Sequence, residues 1–378
     1  MPYWRLSGFY FFYFASLGAL IPYWGLYLKS LDFSAAAIGS MMAIIMGTKI
    51  ISPNIWGWIA DHTGKRMSIV RAGCLLSLIA FAGVFISQHY WWLVVVMMLF
   101  SFFWNATLPQ FEATTFTHLG EHTHRYSSIR LWGSIGFIVA VWLIGETLDG
   151  SQIAYLPMIL MGLFIAIWGS SHVVPEEAAG HLHISHEPLR DILRRPEVLG
   201  LLAICFLMQL GHGPYYTFYS IYMQDHGYSL SLIGFLWALG VLAEVLIFMR
   251  MHKLVPRFGL KRLLMSSLIL AAVRWLIIAL APMNLPLMLM AQLLHAATFG
   301  VYHAVAIQLI HTYFTGHQGK GQALYSSVSF GAGGAFGSLY AGYTWDIFGS
   351  TITFVIASLV SLLGAYIAYK KIPAAEAS

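Results

Sequence analysis

The sequence predicts an all-α membrane protein with twelve transmembrane helices in two pseudo-symmetric six-helix bundles, on three observations. Of its 378 residues, 59% are hydrophobic and only 9% charged, with a mean hydropathy of +0.73; a soluble domain carries about 25% charged residues. Apolar runs of the length a helix needs to cross a ~30 Å hydrocarbon core recur from one end of the chain to the other. The chain also resembles itself, because "FSAAAIGSMMA" from Phe33 aligns with "YSLSLIGFLWA" from Tyr228 at an offset of 195 residues.

The runs lie near residues 4–28, 34–60, 67–87, 91–117, 127–147, 153–174, 197–223, 229–253, 262–281, 286–313, 321–345 and 350–370. They are expected to be helices because lipid offers the backbone no hydrogen-bond partners. The first run is too long for a signal-peptide core and no small-residue cleavage site follows it, so it is expected to stay in the mature chain. Cys74 and Cys205 both fall inside runs, where they are expected to be packing residues rather than a disulfide or a thiolate metal site. No metal or cofactor is expected.

The net charge of +5 is explained by topology rather than by an acidic partner, and no nucleic-acid partner is expected. Sixteen of the twenty Lys and Arg lie on one side of the alternating runs, and the opposite side holds only Lys29. Positive loops stay in the cytoplasm. Both termini and the long central loop are therefore expected to be cytoplasmic, in a multi-pass protein of a cell membrane, most simply a bacterial inner membrane. Lys49, Arg130 and Arg274 fall within apolar runs, as does Glu244.

The repeat extends beyond the first match. "PYW" at Pro22 corresponds to "PYY" at Pro214, Gly64 to Gly259, and "YSSIRLWGSIG" at Tyr126 to "YSSVSFGAGGA" at Tyr325. Three matches in the same order imply a duplicated six-span unit, an arrangement that transporters use. The expected domains are an N-terminal bundle over 1–174, a cytoplasmic linker over 175–196 and a C-terminal bundle over 197–378. The linker contains His181, His183 and His186; without a Cys or a second His pair to complete a tetrahedral set, a solvated linker is the simpler reading.

"GWIADHTGKR" at 57–66 resembles the loop signature of the major facilitator superfamily between its second and third spans. That resemblance implies a conformational gating role for Asp61, Gly64, Lys65 and Arg66. The second copy, "KLVPRFGLKR" at 253–262, keeps Gly259 but has Pro256 in place of the aspartate. "IRLWGS" (129–134), "IGFLWALGVLAEV" (233–245), "VRW" (273–275) and "QLLHAATFGVYH" (292–303) are similar to the proton-linked phenylpropionate permeases. A more distant similarity links the chain to lactose permease and nucleoside symporters. One such scaffold serves many solutes.

A charge at the centre of a spanning helix costs about 2.5–3.5 kcal/mol on insertion scales, so it pairs or faces a water-filled cavity. At 1.5 Å per residue, Glu244 lies ~14 Å and Arg274 ~18 Å above the cytoplasmic ends of their helices and could meet near mid-depth. Glu112 and Arg130 flank a short loop at similar depth, with a separation of 18 residues that resembles lactose permease. Both pairs are expected to serve proton coupling, although packing specificity or gating is the plain alternative. Burial and the neighbouring guanidinium act in opposite senses on the charge of Glu244, so protonation and binding of an anionic solute become linked. Lys49 overlays Glu244 at the repeat offset and is expected to meet solute.

Other solute-contact candidates are Trp237, on the face of Glu244 two turns earlier, Tyr23, Trp24, Tyr215 and Tyr216, and the polar Asn105, His295 and His303. The aromatic group, with Tyr27 and Tyr222, could instead form an interface belt, and each histidine could be a satisfied core residue. Small residues at Gly333, Gly337 and Ala341, with Gly334, Ser338 and Gly342, form two ridges for close helix approach. Pro22 and Pro214 are expected to give helix irregularities, either breaks that flank a binding site or plain kinks.

The expected activity is proton-coupled import of a small organic solute by a monomer, without enzymatic chemistry. An aromatic carboxylate is favoured. The alternatives are a sugar or nucleoside symporter and a membrane solute sensor that carries nothing.

Overall fold

The computed structural model describes residues 2–148, 150–176 and 189–373; the linker histidines lie outside them. The protein is all-α, and eleven helical stretches among the described residues are long and apolar enough to cross a membrane. The difference from twelve arises at one place. The last stretch, Gln318–Lys371, is 54 residues long and takes in both the eleventh and twelfth runs. Gly349 within it has φ 84° and ψ 171°, a conformation essentially restricted to glycine. It divides the stretch into two spans that meet without a loop.

The first six spans are built on α1 (Tyr3–Ser30), α2 (Ala35–Thr63), α3 (Arg66–Ala82), α4 (Tyr90–Leu119), α5 (Tyr126–Thr147) and α6 (Leu156–His172). After the short α7 (Leu189–Leu193) come α8 (Pro196–Asp225), α9 (Leu230–Phe248), α10 (Met251–Phe258) and α11 (Leu260–Leu280). The tenth span joins α12 (Leu285–Leu293) to α13 (Tyr302–Tyr313) through a π-helical segment, Ala296–Val301. The final stretch runs from α14 (Gln318–Ser326) through a second π segment, Ser327–Gly333, into α15 (Gly334–Lys371). The eighth run was expected to reach 253, but α9 ends at Phe248 and α10 follows as a separate short helix. α1 and α8 continue through Pro22 and Pro214, so neither proline breaks its helix.

The described residues form two compact units, 2–176 with 227–238 and 189–226 with 239–373. Residues 227–238 pack with the first unit, and two glycines explain it. A Cβ on Gly234 would lie 2.6 Å from the Val141 carbonyl oxygen, and one on Gly145 would lie 2.7 Å from that of Leu230, so the start of α9 packs directly on the α5 backbone. Ser231 Oγ also donates to the Glu146 carboxylate.

The same packing order recurs in each unit. In the first, α1 packs on α5 and α6, and α3 on α4 and α6. In the second, α8 packs on the first half of α15, where Gly213 and Gly337 bring the two backbones together, and α11 packs on its second half, where Ser358 Oγ donates to the Ala272 carbonyl at 3.0 Å. The small-residue ridges are therefore a packing surface. The start of the expected linker is also anchored: the Glu176 carboxylate accepts from the Met67 and Ser68 amides at 2.8 and 3.0 Å, satisfying donors at the N-terminus of α3 that its own cap leaves open. Large apolar side chains such as Ile86 and Leu280 point outward, 74% and 69% exposed, as a lipid-facing surface requires.

Candidate functional site

The second unit gathers a polar cluster from four spans, buried except for Glu244, whose side chain is 16% exposed. α11 supplies Arg274, which is fully buried, α9 supplies Glu244, α8 supplies Tyr215 and His212, and the tenth span supplies Gln292, His295 and Thr298. The Arg274 guanidinium donates to Thr298 Oγ1 at 3.1 Å and to Gln292 Oε1 at 3.4 Å, and stands 3.0 Å from His295 Nδ1. It lies over the rings of Tyr215 at 4.2 Å and Trp275 at 4.8 Å. Tyr215 also donates to Gln292 Oε1 at 2.8 Å.

Glu244 and Arg274 stand at the two nitrogens of one imidazole: His295 Nε2 is 3.4 Å from Glu244 Oε2. Arginine only donates, so the His295 Nδ1 facing it is the bare acceptor and the proton resides on Nε2, directed at the carboxylate. The result is a line from a part-buried carboxylate through a buried neutral imidazole to a buried guanidinium. Three polar atoms of the cluster, Arg274 Nε, Gln292 Nε2 and His212 Nε2, are buried without a hydrogen-bond partner. His212 Nδ1 is 2.7 Å from the Met208 carbonyl and so carries the proton, which makes its Nε2 an acceptor.

The π segment of the tenth span governs what lies beside this line. A π turn takes an extra residue per hydrogen bond, which lowers the rotation per residue and draws positions 295, 299 and 303 towards one face. Their rings stack as a ladder, His295 on Phe299 at 5.4 Å and Phe299 on His303 at 5.7 Å. His303 Nδ1 is 2.8 Å from the Tyr325 hydroxyl. Phe299 therefore separates the two histidines, which have different polar partners. Half-buried Tyr216 stacks on His212 at 5.6 Å.

In the first unit, Arg130 Nε is 3.8 Å from Glu112 Oε1, with side chains 31% and 34% exposed. Tyr126 donates to the same oxygen at 3.2 Å, and the guanidinium lies 3.8 Å over the Phe14 ring. Half-buried Lys49 has no hydrogen-bond or ion-pair partner among the described residues. Asn105 Nδ2 donates to the Ile45 carbonyl at 3.0 Å and to Thr48 Oγ1 at 2.9 Å, joining α4 to α2. Tyr23 donates to the Val141 carbonyl at 2.6 Å, and fully buried Trp24 packs on Tyr27 and Phe81. These three residues sit in helix-packing contacts. Trp237 is buried at 3% exposure and belongs to the first unit. Tyr27 and Tyr222 are buried too, at 4% and 2%, and so do not form an interface belt.

The gating candidates lie at helix ends. Arg66 pairs with Asp61 at 3.0 Å. Gly64, at φ 67° and ψ 4°, ends α2 in the left-handed conformation that glycine favours, and Lys65 is the N-cap of α3. Gly259, at φ 75° and ψ 156°, turns α10 into α11 through a different, glycine-only conformation. The repeat thus preserved the residue but not the turn.

Sequence reasoning missed Gln292, Thr298 and His212. Gln292, His295 and Thr298 recur at intervals of three, a spacing that places polar groups on one helix face and that was visible in "QLLHAAT". His212, a single histidine before a Gly-Pro pair, carried no comparable signal.

Residues 3–356 match the model of the MFS_1 like family. The chain is 30% identical over 377 residues to the probable 3-phenylpropionic acid transporter of Escherichia coli (strain K12), covering 96% of each chain. It is 28% identical over 371 residues to the maltose permease of Geobacillus stearothermophilus, covering 94% of this chain and 91% of that one. Its fold superposes on a crystal structure of the nucleoside transporter NupG (D323A mutant) with a TM-score of 0.88 at 14% identity, over 98% of this chain and 100% of that one. The chain therefore belongs to the MFS_1 like family, and with it to the major facilitator superfamily of multi-pass membrane transporters for small solutes.

Proposed function

We propose that this transporter imports a small organic anion together with protons, that the anion is an aromatic carboxylate, and that Glu244, His295 and Arg274 couple the two. The observation that carries the reading is the line in which one buried imidazole joins a part-buried carboxylate to a buried guanidinium. With Glu244 ionised, Arg274 has a counter-charge across His295. When Glu244 takes a proton that charge is lost, and a buried guanidinium without an anion is costly. A solute carboxylate restores the balance, so proton and anion are favoured together and released together.

Three features support an aromatic carboxylate. Arg274 offers the planar donor fork that carboxylates accept, the rings of Tyr215 and Trp275 lie against it, and a relative 30% identical bears the name of a phenylpropionic acid transporter. Tyr216, Trp237, Lys49 and His303 remain assigned to solute contact, and Glu112 with Arg130 to a second proton-linked pair. Both termini and the linker are placed in the cytoplasm on the distribution of Lys and Arg, and the chain is taken to act as a monomer.

Glu244→Gln is the decisive variant. In proteoliposomes it should keep solute counterflow and lose accumulation driven by an inward proton gradient. Undiminished accumulation would overturn the coupling role, and stimulation by a neutral sugar or nucleoside instead of 3-phenylpropionate would overturn the solute class.

A further inference from the structure

Between the second half of α9 and the π segment of the tenth span lies an open groove of about 380 Å³, lined by Ala243, Leu246, Ile247, Met249, Arg250 and Ala296. This volume falls in the ~300–1,000 Å³ range of sites that hold small ligands. Its walls are apolar apart from Arg250. Leu246 and Met249 are 56% and 66% exposed, so the groove is open and its mouth is apolar. Close by, Gly300 lets the tenth span approach α9: a Cβ there would lie 2.6 Å from Ile247 Cγ2 and 3.4 Å from Glu244 Cγ.

Arg250, which lines the groove, begins a strongly basic stretch of the chain. Arg250, Lys253, Arg257, Lys261 and Arg262 follow one another across α10 into α11, and no Asp or Glu occurs between Glu244 and Asp346. Arg250, Lys253, Arg257 and Arg262 have no ion-pair partner among the described residues. An exposed apolar channel that ends in uncompensated cations at the helix boundary has the polarity of one molecule, a lipid with an acyl chain and an anionic headgroup. A choline headgroup would set its own cation against this stretch.

We propose that the groove binds one anionic phospholipid from the leaflet facing the basic loops. Its acyl chain lies along Ala243, Leu246 and Ala296, and its phosphate is held by Arg250 with Lys253. Long basic side chains reach readily from a helix end to headgroup level. Each cation near such a headgroup strengthens binding by about 1 kcal/mol, or roughly fivefold.

The test uses the full chain in nanodiscs of phosphatidylcholine alone and of phosphatidylcholine mixed with phosphatidylglycerol, with native mass spectrometry after transfer to detergent. The wild type should retain one phosphatidylglycerol from the mixture. Arg250→Gln with Lys253→Gln should weaken retention by about tenfold or more, and Ala296→Phe, which fills the groove, should abolish it with the thermal transition preserved. Arg125→Gln, an exposed cation of the first unit, should leave it unchanged. Equal retention of both lipids, or unchanged retention in both groove variants, overturns the proposal. Displacement by inorganic phosphate would show that the acyl chain is dispensable and overturns it equally. None of these measurements depends on solute transport.

Discussion

At the scale of single residues, the candidate site is governed by how many donors Arg274 must place. A guanidinium has five N–H groups and no acceptor, and Thr298 Oγ1, His295 Nδ1 and Gln292 Oε1 take three directions of the fork. Lysine keeps the charge but loses the planar geometry. Arg274→Lys is therefore expected to weaken binding of an aromatic carboxylate by about tenfold or more, measured by ligand-induced thermal stabilisation of the purified protein. Thr298→Val keeps the shape of the side chain and removes its acceptor, leaving a charged donor buried without a partner. It should lower stability by about 1–3 kcal/mol, read as a fall in the thermal midpoint, and Thr298→Ser should recover most of the loss.

At the scale of elements, small residues determine which helices touch. Gly337 is the clearest case, because a Cβ there would lie 2.9 Å from the Leu210 carbonyl oxygen and 3.0 Å from Gly213 Cα. That carbonyl is the one freed by Pro214 four residues later, since proline has no N–H to return the bond. The apparent weak point in α8 is thus where α15 approaches most closely. Gly337→Val should cost about 1–3 kcal/mol by overpacking, visible in thermal unfolding in detergent, whereas Gly162→Ala, at a position with nothing within 4 Å, should be neutral. The π segments also act at this scale. The one in the tenth span lies within the His295–Phe299–His303 ladder and tightens onto one face three positions that four-residue spacing already brings close.

For the whole molecule, the orientation proposed from charge placement can be tested by labelling. If positive loops are retained in the cytoplasm, Ser30→Cys beside Lys29 should react with an impermeant maleimide added to intact cells. Arg125→Cys should react only after permeabilisation. Labelling in the opposite sense would reverse the topology on which the assignment of termini and lipid leaflet rests. The Cys74 and Cys205 thiols are buried and should contribute little background.

The sequence by itself determined the all-α membrane class, the runs, the repeat of six, and the stranding of Glu244, Arg274, Glu112 and Arg130 in apolar surroundings. Length and hydropathy carry these features, because an uninterrupted apolar run of about 20 residues satisfies its backbone within lipid as a helix. Only the tertiary structure decided that His295 stands between Glu244 and Arg274. It also decided that Gln292 and Thr298 complete the cluster, that Asn105, Tyr23 and Trp24 join helices, and that two spans meet at Gly349 without a loop. Such outcomes depend on helix rotation and on contacts between residues far apart in the chain. A single π turn or one glycine contact changes them without altering the hydropathy of any run.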